Sequence, residues 1–298
     1  MTSVLVVGDL VTDVVAVAAG PLAEGTDTAA SITLTGGGAA ANTAAWLAYA
    51  QLPVTLVAAV GDDPAGAQRV AELESAGVRC AVSRHPGPSG TVVVIADGAE
   101  RTMLCDRGAN AHLSTGDIDA GLPGAGHLHL SGYPLFDERT RPAGRYALAA
   151  ARTAGLTVSV DAASARPLRQ AGPASFLEWV RGVDLLFANA DEARVLVGDV
   201  APDELARRLA GHVATVIVKL GADGAVWADS GSRAGVVRRS AVPTRVVDVT
   251  GAGDAFAAGA LRAWLAGSGP AEVLSTAARY GAIAVAQIGA RPPAGCRS

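Results

Sequence analysis

The stretch Asp248-Val249-Thr250-Gly251-Ala252-Gly253-Asp254-Ala255-Phe256 carries more chemistry per residue than any other part of this sequence. Arg245–Val249 reads as a strand and Asp254–Ala266 as an apolar helix, so the two glycines fall at a strand-to-helix turn. Glycines let the backbone turn tightly and present successive N–H groups, and the start of a helix polarises those groups further. Such a turn is suited to holding a phosphoryl group. An aspartate at its edge can take the proton of an attacking hydroxyl. The same residues also fit a plainer arrangement, in which Thr250 caps the helix and Asp254 complements its dipole. The residues alone leave both open.

A second stretch, Gly36-Gly37-Gly38-Ala39-Ala40-Ala41-Asn42, runs directly into another helix. Small residues there admit a ligand to the backbone, and Asn42 can donate to and accept from hydroxyls. Taken alone, it is more simply a tight turn with Asn42 on an exposed helix face. Other phosphate and dinucleotide signatures are missing. The one lysine, Lys219, precedes leucine, so there is no Walker A motif. Gly8-Asp9-Leu10 places an acid where a dinucleotide loop needs glycine. His127 and His129 share a strand face but have no third ligand nearby, and they read as core histidines rather than a metal pair. The Ala40–Ala50 stripe with Trp46 reads as a core face.

The elements that must position these residues alternate along the chain. Strands are expected at Val4–Val7, Val54–Val60, His127–Ser131, Leu156–Val160, Leu185–Ala188 and Val213–Leu220. Helices are expected at Ala40–Ala50, Pro64–Ala76, Ala143–Ala154, Phe176–Arg181, Asp191–Leu196, Asp203–Leu209, Asp254–Ala266 and Pro270–Ile288. This rhythm predicts a parallel sheet covered by helices. Val11–Thr35 and Gly90–Arg107 break it, the latter as a hairpin turning at Asp97–Glu100, and the two are expected to pair as a small β lid. We read residues 1–298 as one domain with lid segments at about 11–35 and 90–107.

Composition supports a packed chain: 50% of residues are hydrophobic and 17% charged, which excludes disorder as a description of the whole. The net charge of −4 argues against general binding to nucleic acid or an anionic membrane. No stretch reaches the ~20 apolar residues of a membrane span. Met1-Thr2-Ser3 lacks the basic start of a signal peptide, so a cytoplasmic location is expected. Cys80, Cys105 and Cys296 are widely spaced and without a CxxC, which suggests neither disulfides nor zinc.

The early GG-x-x-x-N and the late D-x-T-G-A-G-D, taken together, resemble the ribokinase (PfkB) family of carbohydrate kinases. Asp13 after the first strand, the Gly61–Gly66 turn, Asn189-Ala190-Asp191-Glu192, Lys219–Gly224 and the tail Gly281–Pro293 match further family motifs in order. The resemblance implies a three-layer α/β/α sandwich of the ribokinase-like type with a β-sheet lid. It implies ATP-dependent phosphorylation of a hydroxymethyl group on a sugar or sugar-like molecule, with Asp254 as base and the N–H groups of Gly251, Ala252 and Gly253 steadying the phosphoryl. It further implies Asp13, Gly37, Gly38 and Asn42 at the substrate, and Lys219, Gly221, Gly224, Thr250 and Gly253 at the nucleotide. Asn189 and Glu192 would organise Mg²⁺ and phosphates, Glu192 through water, and the carbonyls of Asp248, Thr250, Ala284 and Gly289 would hold K⁺. A homodimer through the lid is implied as well.

The departures fall on the substrate side. Ala39 stands where ribokinases proper carry lysine, Val11 stands in place of an asparagine, and Asp161-Ala162-Ala163-Ser164-Ala165-Arg166 replaces an Asp-Pro-Asn-x-Arg. The variant is closer to fructokinase-like and 2-keto-3-deoxygluconate kinase-like members. The alternatives are a nucleoside kinase of the same family, or a non-catalytic sugar- or nucleotide-binding regulator on the same fold.

Overall fold

Short aliphatic runs form the strands, and alanine-rich segments of helical spacing form the connections between them. The computed structural model describes residues 2–97, 100–231 and 235–293. The chain opens with β1 (Val4–Val7), β2 (Val11–Ala18), β3 (Ala30–Gly37), α1 (Ala39–Tyr49), β4 (Val54–Gly61), α2 (Pro64–Ser75) and β5 (Arg79–His85). It continues through β6 (Gly90–Asp97), β7 (Glu100–Asp106), α3 (Thr115–Gly121), β8 (His127–Ser131), α4 (Tyr133–Phe136) and α5 (Arg141–Thr153). Then come β9 (Thr157–Asp161), α6 (Ala165–Ala171), α7 (Pro173–Trp179), β10 (Leu185–Asn189), α8 (Ala190–Val197) and α9 (Pro202–Leu209). The last elements are β11 (Thr215–Lys219), β12 (Ala225–Asp229), β13 (Val237–Arg239), α10 (Ala252–Leu265) and α11 (Pro270–Val285).

Among the described residues, nine strands make one sheet in the order β13-β12-β11-β10-β9-β8-β1-β4-β5. The seven from β11 to β5 run parallel, and β12 and β13 add an antiparallel edge. Side chains of successive strand residues leave on opposite faces, which creates two cores. Leu5, Val7, Leu128 and Leu130 pack under the helices α3 and α5–α9, whereas Val4, Val6, Leu56 and Phe187 pack under α1, α10 and α11. With aromatics so scarce, alanines at the interface let helices approach closely, as at Ala257, Ala260 and Ala277. The result is the expected three-layer sandwich.

Strand order reverses at β1, which lies between β4 and β8. Parallel strands with helices leading away on both faces leave a crevice at their carboxyl ends at such a switch point. Asp9, Asp161, Asn189 and Lys219 all sit at these ends. His127 and His129 lie in the buried part of β8, where Thr157 and Ser159 bond the rings at 2.8 Å. Burial lowers their pKa values to about 3 and about 4, so both are neutral core histidines.

The two irregular segments pair as expected into a separate sheet, β3-β2-β6-β7, with the hairpin tip residues Gly98 and Ala99 outside the described residues. Register divides the lid's apolar residues between two faces. Asp13 and Val15 pair with Val92 and Val94 on one side, whereas Val14 aligns with Leu34, Val93 and Leu104 on the other. Consecutive residues such as Val14 and Val15 must point oppositely.

Arg245–Val249 is not a strand. The N–H groups of Val247 and Asp248 both turn to the carbonyl of Val285 at the end of α11, and the valine side chains 246, 247 and 249 stay exposed. The alternating pattern satisfied β propensity, but no neighbouring strand is available to complete a ladder. Likewise α11 stops at Val285 rather than Ile288, because the tail turns back and the Gly289 N–H donates to Asp248 Oδ2 at 3.0 Å. The strands β5, β12 and β13 and the short helices α3, α4 and α6 have no counterpart among the expected elements. Cys80 and Cys105 are free thiols, and Cys296 lies outside the described residues.

Candidate active site

The glycine turn opens α10 as the sequence suggests. Gly251 is the residue before the helix and adopts φ 73°, a left-handed conformation that glycine takes without strain. A Cβ there would lie 2.6 Å from Ala290, so the close packing of the tail also requires glycine. Thr250 does not cap the helix. Its own N–H donates to Asp248 Oδ1 at 2.8 Å. Helical geometry leaves first-turn N–H groups without carbonyl partners inside the helix. Ala252 makes a long bond of 3.3 Å to the Val249 carbonyl, so among the three expected donors its N–H is partly engaged.

Asp254 lies in that first turn, with Asn42 Nδ2 donating to its Oδ2 at 3.0 Å. Burial raises Asp254 to about 7; the Asn42 bond opposes this and the neighbouring Asp161 carboxylate adds to it. A carboxylate so placed is a proton acceptor poised near neutrality. Asn42 is buried rather than exposed, because α1 starts beneath the lid and its first turn faces α10. Gly38, at φ 95°, brings that start against the Asp9 carbonyl, where a Cβ would lie 2.3 Å away.

On the acceptor side, Asp13 projects from β2 and is buried. Burial raises it to about 6, partly offset by Arg291 and Arg69. Gly37 lies against it, and a Cβ there would sit 2.2 Å from the carboxyl. Arg291 Nε donates to Asn42 Oδ1 at 2.9 Å, which makes a chain from Arg291 through Asn42 to Asp254. At the root of the lid Arg107 grips Asp9 (2.7 and 3.2 Å) and Asp137 (2.9 Å).

On the other side of Asp254 lies a cavity of about 500 Å³. Lys219, Gly221 and Gly224 line it together with Val246, Val249 and Phe256. Val246 and Val249, which a strand would have paired, thus border an apolar slot with room for a purine base. Gly224, at φ 92°, lets the Leu220–Gly224 turn close on Arg239, whose carbonyl a Cβ would strike. Lys219 also reaches further than expected. Its Nζ bonds Asp161 Oδ2 at 2.7 Å and sits over Gly253, 3.3 Å from the position of a Cβ. Burial works against its charge, but Asp161, Glu192 and Asp254 outweigh that and raise its pKa.

Asn189 and Glu192 form a reciprocal cap at the start of α8, with Asn189 Oδ1 accepting from the Glu192 N–H and Glu192 accepting from both Asn189 nitrogens. Burial raises Glu192 to about 7, against the pull of Lys219. Three carboxylates thus crowd one ammonium, an excess of negative charge that fits a hydrated divalent cation arriving with a polyphosphate. Among the described residues no three His, Cys, Asp or Glu side chains close into a metal cage, so such an ion would depend on water and phosphate oxygens. For a monovalent cation, the Asp248 carboxylate ties the Thr250 loop to Gly289 in the tail, bringing together the backbone of the residues expected to hold it. Ala284, at the end of α11, already accepts from Gln287 at 3.4 Å.

Reading the sequence brought Asp254, Asn42, Asp13, Lys219 and Glu192 to one crevice. It missed Asp161, noted there only as a departure, and it missed Arg69, Arg291 and the Arg107–Asp9 pair, none of which carries a local signal.

Comparison with known proteins agrees with this geometry. Residues 1–295 match the family described as pfkB family carbohydrate kinase. The chain is 34% identical over 280 residues to an ATP-dependent ribose-1-phosphate kinase of Halopiger xanaduensis, covering 91% of this chain and 87% of that protein. Adenosine kinase from Sinorhizobium meliloti superimposes with a TM-score of 0.87 at 25% identity, covering 98% and 96% of the two chains. A fructokinase double mutant from Vibrio cholerae, bound to fructose, ADP and a potassium ion, gives 0.79 at 26% identity, covering 97% and 94%. Among the described residues no helix is long and apolar enough to cross a membrane.

Proposed function

The chain belongs to the pfkB family of carbohydrate kinases and is a phosphotransferase, and on that premise we propose that it transfers the γ-phosphoryl of ATP to a hydroxymethyl group of a sugar or sugar-like small molecule. The observation that carries this reading is the position of Asp254. It follows Gly253, which lines an apolar cavity with room for a purine base, and it bonds Asn42 on the acceptor side, at the start of the helix whose turn can hold the phosphoryl.

Asp254 takes the proton of the acceptor hydroxyl, held in line by Asn42. Asp13 and Asn42 orient the acceptor's other hydroxyls, with Gly37 leaving space for the Asp13 carboxyl and Gly38 seating α1 against the Asp9 carbonyl. The N–H groups of Gly251 and Gly253, with a lesser share from Ala252, steady the phosphoryl as charge shifts onto the leaving oxygen. Lys219 adds a positive charge at the same place and is itself held by Asp161. Asn189 and Glu192 would organise Mg²⁺ and the phosphates, Glu192 through water, and that ion would supply charge neutralisation there. The backbone of Asp248, Thr250, Ala284 and Gly289 would hold K⁺, a charge that would steady the turn. The relatives' named acceptors differ, so the acceptor must be found by experiment.

The test is ADP release from ATP with hexoses, pentoses, keto-deoxy acids and nucleosides as acceptors. Turnover with sugars is expected. Turnover confined to nucleosides replaces the acceptor class, and no ADP release with any acceptor favours the non-catalytic regulator.

A further inference from the structure

Two arginines beside the acceptor pocket are more buried, and less satisfied, than a neutral sugar needs. Arg69, on α2, is 3% exposed. Its Nη2 pairs with Glu72 at 2.6 Å, but its Nε and Nη1 are buried without a partner. Arg291 spends its Nε on Asn42, and its Nη2 is likewise buried without a partner. Both guanidinium charges act on Asp13, and Glu72, the partner of Arg69, is also the strongest charge acting on Arg291, so the two arginines lie about one carboxylate. Gly36 of β3 passes over it, where a Cβ would lie 2.9 Å from Arg291 Nη2 and 3.1 Å from Glu72 Oε2. A cavity of about 240 Å³ between Thr35 of the lid and the tail at Gly289–Arg291 adjoins it.

Buried guanidinium N–H groups are normally paired, and leaving them open is costly. Glu72, paired with Arg69 and the strongest charge acting on Arg291, offsets part of the guanidinium charge but leaves these N–H groups open. Charge-assisted bonds to an anion would fill them more strongly than neutral hydroxyls. The open atoms are three: two on Arg69 and one on Arg291. A carboxylate offers two oxygens, whereas a phosphate monoester offers three, and guanidinium forks suit phosphate geometry. We propose that Arg69 and Arg291 bind a phosphate monoester already carried by the acceptor, so that the enzyme converts a sugar monophosphate to a bisphosphate. The proposal rests on the kinase reading above. In the step, the acceptor hydroxyl oxygen bonds the γ-phosphorus, the bond from that phosphorus to the bridging oxygen of ADP breaks, and the hydroxyl proton passes to Asp254. The existing phosphate stays intact under β3.

The experiment compares kcat/KM, by ADP release, for a pentose, the same pentose as its 1-phosphate, and gluconate as a carboxylate acceptor. The 1-phosphate should exceed the pentose by about 100-fold or more, as expected for charge-assisted bonds from two arginines. Arg69→Met should cut that preference by about 10- to 100-fold while changing turnover of the free pentose little; Arg69→Lys should recover part of it. A ratio near one in the wild type overturns the proposal, as does a preference for gluconate over the 1-phosphate. An equal loss for charged and neutral acceptors in Arg69→Met also overturns it, since that marks a merely structural arginine. If no acceptor yields ADP, the kinase reading falls, and calorimetry with the pentose 1-phosphate decides the pocket separately. Binding by the wild type that is lost in Arg69→Met upholds the pocket, and absence of binding to the wild type overturns it.

Discussion

Replacing Asp254 by asparagine should do two opposite things at once. The amide keeps the size of the side chain, and its oxygen can still accept from Asn42 Nδ2, but it cannot take a proton. Loss of a general base lowers kcat by roughly 10²–10⁴. The same change should stabilise the unliganded fold. Burial raises the Asp254 pKa from 3.8 to about 7, a difference of about three units, or about 4 kcal/mol at about 1.4 kcal/mol each. The sign follows from proton counting. Between pH about 4 and about 7 the folded wild type holds a proton that the unfolded chain has released, so its stability falls as pH rises through that window and stays low above it. Asparagine carries no such cost. For a chain of this length an unfolding entropy of about 0.6 kcal/mol/K turns the difference into a Tm gain of up to about 6 °C at pH 8, shrinking to nothing near pH 4. Scanning calorimetry at several pH values and steady-state ADP release measure the two effects. A variant keeping more than a tenth of wild-type kcat refutes the base. An inactive variant that melts lower than wild type at pH 8 refutes the burial argument, because the lost activity would then reflect damage to the fold.

Two further outcomes follow from the geometry. Exchanging K⁺ for a large organic cation at matched ionic strength should lower kcat severalfold, because the turn between Asp248 and Gly251 would lose the ion that orders it; unchanged activity removes the cation site. The outer lid face exposes Ile32, Leu34 and Leu104 at 62%, 65% and 57%, a surface suited to a second copy of the lid. Light scattering should report roughly twice the 29.7 kDa chain mass, and Leu34→Glu should halve it and lower kcat/KM; a fully active monomeric wild type refutes the clasp.

The layered fold was legible because each buried strand is a short aliphatic run closed by glycine or a polar residue, as at Val4–Val7 before Gly8-Asp9. The lid was legible for the opposite reason, since its segments interrupt that rhythm. Arg245–Val249 misled because a valine-rich run records which side chains are apolar, not what covers them, and here a cavity rather than a strand borders Val246 and Val249. The site divides in the same way. Asp254 and Asn42 sit beside glycines whose backbone demands are local, so their sequence neighbourhoods advertise them. Arg69 lies in the amphipathic helix α2 among surface residues, and its burial comes with the packing of α2 against β2. Arg291 lies in the tail Gly281–Pro293, whose match to the family pattern singles out no side chain, and it is placed by the bond from Trp46 Nε1 to the Ala290 carbonyl. Asp161 is marked only by being the last residue of a strand. Its significance appears once β9 stands two strands from β11 and the single lysine reaches across to it.

That lysine shows how the crevice is balanced for its ligands rather than for itself. Asp161, Glu192 and Asp254 share one ammonium, and two of the three respond to burial by holding their protons near neutrality. A fold selected for stability alone would replace such carboxylates with neutral groups of similar shape. Keeping them leaves a cost in the empty protein that binding would remove: on the proposed function, a divalent cation would lower the charge density at Glu192, and the phosphoryl would draw on Lys219 and the α10 turn. Asp254 is then the one carboxylate of the three without a strong cation of its own, which keeps it basic enough to accept a proton. The acceptor pocket carries a different cost, since Arg69 and Arg291 keep buried donors open beside Asp13 and Glu72. The crevice therefore presents excess negative charge where the metal ion would enter and open guanidinium donors where the acceptor's phosphate would lie. Asp254 and Asn42 stand at the boundary, the place at which a neutral hydroxyl must give up its proton.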